Sequence, residues 1–222
     1  MSQAREAILS RIRAALTDVP AEEPLRWEGP GDAGDADAYR RAAEKGATIL
    51  EMFVTHVADY RAEVVRCASD DDVAREVVQA CGRHGARRIL VPPAIPEGWL
   101  STELTWVTDG AMRPLTIAEL DGADAVLSGA CVGIAESGTI GLDHGPDQGR
   151  RALTLVPDLH LCVLRRDQVV ATVPEGLSRL REATAVGRPI TLVSGPSATS
   201  DIELERVEGV HGPRRLVVLV RD

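Results

Sequence analysis

From Arg61 to the end of the chain, short apolar runs alternate with amphipathic stretches, and this alternation restricts the possible folds more than any other feature. "AEVVRC", "RRILVPP", "TWVTD", "HLCVLRR" and "RRLVVLV" are strand-length and rich in β-branched or leucine side chains. "RALTLVP" and "PITLVSG" read as further strands, and "DAVLSGACVGIAESGTIGLD" as strand-like with glycines breaking the run. Between them, Val73, Val77 and Cys81 share one helical face, with Asp70 as cap and Asp71 and Asp72 at the positive end of the dipole. "TIAELDGA" is a short helix, and Pro174 opens another, "PEGLSRLREAT", where proline is tolerated. Such alternation predicts an α/β fold, a mostly parallel sheet with helices on both faces. With Phe53 the only phenylalanine, the core volume has to come from Val, Leu, Ile and Ala.

The first part of the chain has another rhythm. Ile8, Ile12 and Leu16 recur four apart, the stripe of an amphipathic helix. Residues 17–37 then hold three prolines, three glycines and seven acids, an acidic linker open to two uses: docking a partner or simple tethering. A second helical pattern runs from about Tyr39, with Leu50, Phe53, Val54 and Val57 along one side. The expected organisation is therefore a helical N-terminal segment, 1–60, and an α/β domain, 61–222.

Charge and cysteine spacing exclude several functions. The formal charge is −9, from 25 basic and 34 acidic side chains. Arginines occur in short pairs only, and neither a basic stripe nor an aromatic platform for nucleic acid is present. The N-terminus lacks a continuous apolar leader, and no stretch approaches membrane-spanning length, so a cytoplasmic protein is expected. Cys67, Cys81, Cys131 and Cys162 are scattered, without the paired spacing that zinc or iron–sulfur sites use. P-loop, G-x-S-x-G and dinucleotide fingerprints are absent too.

Three segments carry candidate chemistry. In "GIAESGTIGLD", Glu136 precedes Ser137, Gly138 and Thr139 in an apolar, small-residue setting. Burial there would raise its pKa for acid, base or nucleophile work, or it accepts hydrogen bonds in a turn. In "DHGPDQGRRALTLVP", Arg150 and Arg151 end a glycine loop and are suited to clamp a carboxylate or phosphate. Asp143, His144 and Asp147 alone make a weak metal pattern, and no metal is expected. In "GPSATSDIELERVEGVHGP", residues 195–213, hydroxyls follow a strand directly, and Ser200 with Glu203 has capping-box spacing for a helical turn from Asp201. That segment is either a capped connection or one wall of an anion site at the carboxyl end of the sheet.

Together, and in this order, the three segments resemble the LUD-domain family. The resemblance is strong from about Asp121 to Asp222. It implies a fold similar to the sugar-isomerase (NagB/RpiA), CoA-transferase and cyclo-ligase superfamily. It also implies a part in oxidising L-lactate to pyruvate beside two iron–sulfur partner proteins, A and B of lactate utilisation, with no cluster in this chain. Carried over by motif, the site residues are Glu136, Ser137, Gly138 and Thr139, then Gly195, Ser197, Thr199, Asp201 and His211, around a small anionic ligand. "AESG" is also similar to the glutamate–glycine turn of CoA-transferases, although Ser137 stands where those enzymes usually have Asn. A stand-alone transferase or cyclo-ligase using Glu136 is the alternative expectation.

Overall fold

The computed structural model describes residues 3–15, 49–200, 206–208 and 212–222. The chain divides into two units, residues 1–38 and 39–222. The first contains helix α1 (Gln3–Ala15), on which Ile8 is exposed. In the second, the elements up to the middle of the chain are α2 (Ile49–Asp59), β1 (Glu63–Cys67), α3 (Asp70–His84), β2 (Arg88–Val91), β3 (Thr105–Thr108), α4 (Ile117–Asp121) and β4 (Ala125–Ser128). There follow β5 (Val132–Ile134), β6 (Thr139–Leu142), β7 (Leu159–Arg165), β8 (Val169–Val170), α5 (Val173–Ala185), β9 (Thr191–Val193), β10 (Ala198–Ser200), β11 (Arg206–Glu208) and β12 (Arg215–Arg221).

Six strands form a fully parallel sheet in the order β1-β12-β7-β4-β2-β3. β12 shows why its apolar run has no alternation with polar residues: both of its faces are covered. Val217 and Leu219 pack with Val73, Val77 and Cys81 of α3. Leu216, Val218 and Val220 point the other way, into a cluster with Leu50, Phe53 and Val57 of α2 and Ile140 and Leu142 of β6. Each fully buried Val or Leu contributes about 1.5–3 kcal/mol relative to exposure. A second sheet of four strands, β8-β5-β6-β9, covers that second face, with α2 beside it and α4 further along.

Local chemistry sets the boundaries. Ser69, rather than the expected Asp70, caps α3: its hydroxyl accepts from the Asp72 amide at 3.2 Å, and Gly85 ends the helix in the left-handed region. Asp70, Asp71 and Asp72 occupy the first turn as the dipole argument requires. Two expectations are corrected. "RALTLVP" is a series of turns and not a strand; Leu153 sinks into a cluster with Leu90, Leu120 and Val126, so its apolar character serves packing without a ladder. β9 belongs to the smaller sheet, antiparallel to β6, and not to the parallel one.

Because Phe53 and Val57 are fully buried against β12 and β6, α2 lies within the α/β unit. That unit therefore starts before residue 61, where the change of rhythm had suggested a boundary. Among the described residues no helix is long and apolar enough to cross a membrane.

Candidate functional site

The parallel order reverses direction between β2 and β4: the chain leaves β2 towards β3 on one side and leaves β4 towards β7 on the other. Open α/β sheets bind ligands in the crevice at such a point, outside the carboxyl ends of the strands. Here the loop 143–151 lies over it. Gly129, just after β4, donates its amide to the Asp147 carbonyl at 2.9 Å, and Ala94, after β2, donates to the Pro146 carbonyl at 3.2 Å. A side chain at Gly129 would collide with the Asp147 carboxylate, its Cβ falling 2.2 Å from Oδ2. Gln148, buried, holds the loop by accepting from the amides of Asp143 and His144 through Oε1, at 2.8 and 3.1 Å.

Between this loop and the ends of β2 and β3 lies a cleft of about 550 Å³. Three guanidiniums line it, and they differ in what they touch. Arg150 is committed: Nε and Nη2 donate to the Asp109 carboxylate at 2.7 and 3.1 Å, and Nη2 also reaches the Leu115 carbonyl. Asp109 is buried, so the pair is structural and raises the Arg150 pKa. Arg188 gives Nη2 to Asp143 at 2.9 Å, while its buried Nε–H has no acceptor among the described residues. Arg151 is exposed and its side chain has no hydrogen-bond or ion-pair partner among the described residues. His144 completes the wall. Its Nδ1 lies 3.0 Å from the Gly149 carbonyl, which requires the proton on Nδ1 and leaves Nε2 as acceptor for the Thr191 hydroxyl at 2.9 Å. Burial lowers its pKa, with Arg151 adding to that push, so the ring is held neutral.

Thr191 faces a second, smaller cleft of about 250 Å³ at the amino ends of β7 and β12. Thr154, Thr191, Ser194, Ser197 and the backbone of Gly195 line it together with His160. His160 is fully buried, and burial pushes its pKa down to about 4. Ser128 donates its hydroxyl proton to the Gly129 carbonyl at 2.9 Å, so its oxygen accepts from His160 Nε2 at 2.8 Å. The second ring nitrogen, Nδ1, has no hydrogen bond among the described residues. This cleft presents hydroxyls and a neutral imidazole, and no cationic side chain lines it among the described residues.

The LUD domain family matches residues 50–220. The chain belongs to the LUD-domain family. It is 51% identical over 174 residues to lactate utilization protein C of Deinococcus radiodurans, covering 78% of this chain and 80% of that protein. A protein of Exiguobacterium with the same description is 28% identical over 227 residues, covering 98% of this chain and 96% of the other. The crystal structure of a DUF162-family protein from Deinococcus radiodurans is similar with a TM-score of 0.68 at 44% identity, covering 78% of this chain and 96% of that one.

Within this LUD domain the "AESGT" turn serves to join elements. Glu136 is exposed, not enclosed by apolar residues: its Oε1 accepts from the Val173 amide at 2.6 Å, at the start of α5, and its own amide donates to the Ala171 carbonyl. A carboxylate at a helix N-terminus satisfies a free N–H and meets the positive end of the dipole. Glu136 lines neither cleft. Gly138 takes φ +57°, and an added Cβ would fall 2.6 Å from the His56 backbone carbon and 2.8 Å from the Val57 nitrogen, so α2 rests directly on it. His56 Nδ1 bonds the Ala135 carbonyl at 2.7 Å across the same contact. Ser137 and Thr139 do reach the smaller cleft, indirectly: Ser137 Oγ bonds Thr139 Oγ1 at 2.9 Å, and Thr139 Oγ1 bonds Ser194 Oγ at 2.8 Å.

The serine-rich segment is placed at the amino ends of the large sheet, opposite to the expected carboxyl ends, because β9 pairs within the smaller sheet. Gly195 has φ +85° and lies against Tyr60, whose Cβ would sit 2.6 Å from an added Cβ. Ser197 donates its amide to the Pro213 carbonyl at 2.8 Å. Thr199 and Ser200 are strand residues, paired with Val207 and Arg206 in a β10–β11 hairpin. Asp201, His211 and the expected helical turn lie outside the described residues. The arginine pair and the serine segment thus line different clefts, joined by the His144–Thr191 bond. Residue patterns alone had not singled out Asp109, Arg188 and Thr191. Asp109 directly follows the β3 run and Arg188 follows the α5 pattern, positions that are legible only once the strand order is known.

Proposed function

We propose that this chain is a component of an L-lactate utilisation system, in which L-lactate is oxidised to pyruvate and two electrons pass to partner proteins that carry iron–sulfur clusters, the A and B proteins of lactate utilisation. The observation that carries this reading is the 51% identity over 174 residues to lactate utilization protein C of Deinococcus radiodurans. The thiols fit a member that leaves electron carriage to partners. Burial pushes Cys67 and Cys81 up to about 11 and Cys162 up to about 12, whereas cluster ligands are adjacent thiolates. Among the described residues no three His, Cys, Asp or Glu side chains are grouped so as to hold a metal ion.

The chain contributes a bound organic anion rather than a covalent step. Arg151 and Arg188 offer guanidinium donors in the larger cleft, and such donors recognise carboxylate and phosphate oxygens. Asp109 withdraws Arg150 from that role. The test is genetic: cells lacking the chain are grown on L-lactate as sole carbon source. Growth is expected to fail and to return with the wild-type gene; unimpaired growth in a strain with no other lactate oxidase would overturn the assignment.

A further inference from the structure

The larger cleft is too roomy and too apolar for a three-carbon acid alone. Its walls come from four separate segments, each contributing an exposed proline: Pro93 after β2, Pro114 before α4, Pro146 in the loop over the sheet and Pro189 before β9. Proline rings are rigid and lose no rotamer freedom when something lies against them, so this apolar surface is ready-made. Gly110 leaves the floor open, with no atom within 4 Å of where its Cβ would be. At about 550 Å³ the space falls within the ~300–1,000 Å³ range of sites for cofactor-sized ligands.

Against these walls stand Arg151, whose side chain has no partner among the described residues, and the Arg188 guanidinium, whose Asp143 partner uses Nη2 and leaves Nε–H without an acceptor among them. Counting the two ion pairs, Arg150 with Asp109 and Arg188 with Asp143, as neutral leaves Arg151 without a compensating charge among the described residues, in a chain whose formal charge is −9. His144 adds none, since burial and the neighbouring guanidiniums keep it neutral. A preformed apolar slot beside one cation complements a ligand with a flat, weakly polar body and a single oxyanion group.

We infer that the arginine cleft binds a nucleotide-sized organic anion, its flat ring against the prolines and its phosphate or carboxylate on Arg151 with Arg188 beside it. The inference rests on the reading of this cleft as an anion site and names the ligand class that fills it. Calorimetric titration of the full chain tests it with AMP and FMN as ring-bearing phosphates and 2-naphthoate as a ring-bearing carboxylate. L-lactate and inorganic phosphate serve as anions without a ring, and adenosine as a ring without charge. At least one ring-bearing anion is expected to bind about tenfold or more tighter than all three comparison compounds; which one does so identifies phosphate or carboxylate as the group read. Arg151→Ala should weaken that binding by at least about tenfold, the effect of losing a charge-assisted hydrogen bond. Arg83→Ala, which removes an equal charge from the far end of α3, should leave it unchanged. If L-lactate or phosphate binds as well as the ring-bearing anions and depends on Arg151, the ligand class is wrong and the anion site stands. If none of the anions binds, or none depends on Arg151, the anion site itself is overturned.

Discussion

Two adjacent arginines show how much a single contact decides. Arg150 neutralises Asp109, whose side chain is only 4% exposed, whereas Arg151 has no such partner among the described residues. Arg150→Ala leaves a buried carboxylate uncompensated and should cost about 2 kcal/mol, a figure discounted because the Arg150 side chain is 39% exposed. Arg151→Ala, at an exposed position whose side chain has no hydrogen-bond or ion-pair partner among the described residues, should stay within about 0.5 kcal/mol of wild type. Urea unfolding of the two variants measures both, and equal losses would contradict this division of roles. His160 provides a second test. Its pKa is about 4 in the fold against 6.5 unfolded, so the unfolded chain takes up the proton first as pH falls. Stability is full above about 6.5, declines towards 4, and His160 adds no further slope below that. His144 acts in the same direction, while Asp147, raised by burial, acts oppositely because its cost is relieved on protonation. His160→Gln should therefore flatten the decline between pH 6.5 and 4; an unchanged slope would contradict it.

Between elements, glycines and caps set how closely the pieces pack. Gly138 combines a left-handed backbone with direct contact to the α2 backbone, so Gly138→Ala should cost about 2 kcal/mol or more and lower the thermal midpoint clearly. Glu136→Ala, which removes the acceptor for the Val173 amide, should cost about 1 kcal/mol, the usual effect of losing a helix cap. A much larger loss would mean that Glu136 does more in the fold than cap α5. These two positions also show the limit of reading elements from residues. The α3 face, the proline opening of α5 and the β12 run were legible because period and capping are local properties. "RALTLVP" was not, since an apolar run looks alike whether it joins a ladder or fills a hollow beside Leu90 and Val126. The setting of Glu136 was equally hidden: its small neighbours suggested enclosure, but the partner amide lies 37 residues away.

For the molecule as a whole, the alternation from Arg61 onward was enough to specify a parallel sheet covered on both faces, and β12 at its interior bears the pattern out. Strand order was not encoded in any local signal. It separated the serine segment from the arginine pair, placing one at the amino ends and the other at the carboxyl ends of the same sheet. It also brought Asp109 and Arg188 to the cleft from opposite halves of the chain. The residue motif located the family, and the topology located the cleft. That the chain serves lactate oxidation is most directly read in extracts of cells lacking it, by following L-lactate-dependent reduction of an artificial electron acceptor. The activity is expected to be lost and to return when the purified chain is added back; extracts that reduce the acceptor equally well without it would overturn the assignment to lactate utilisation.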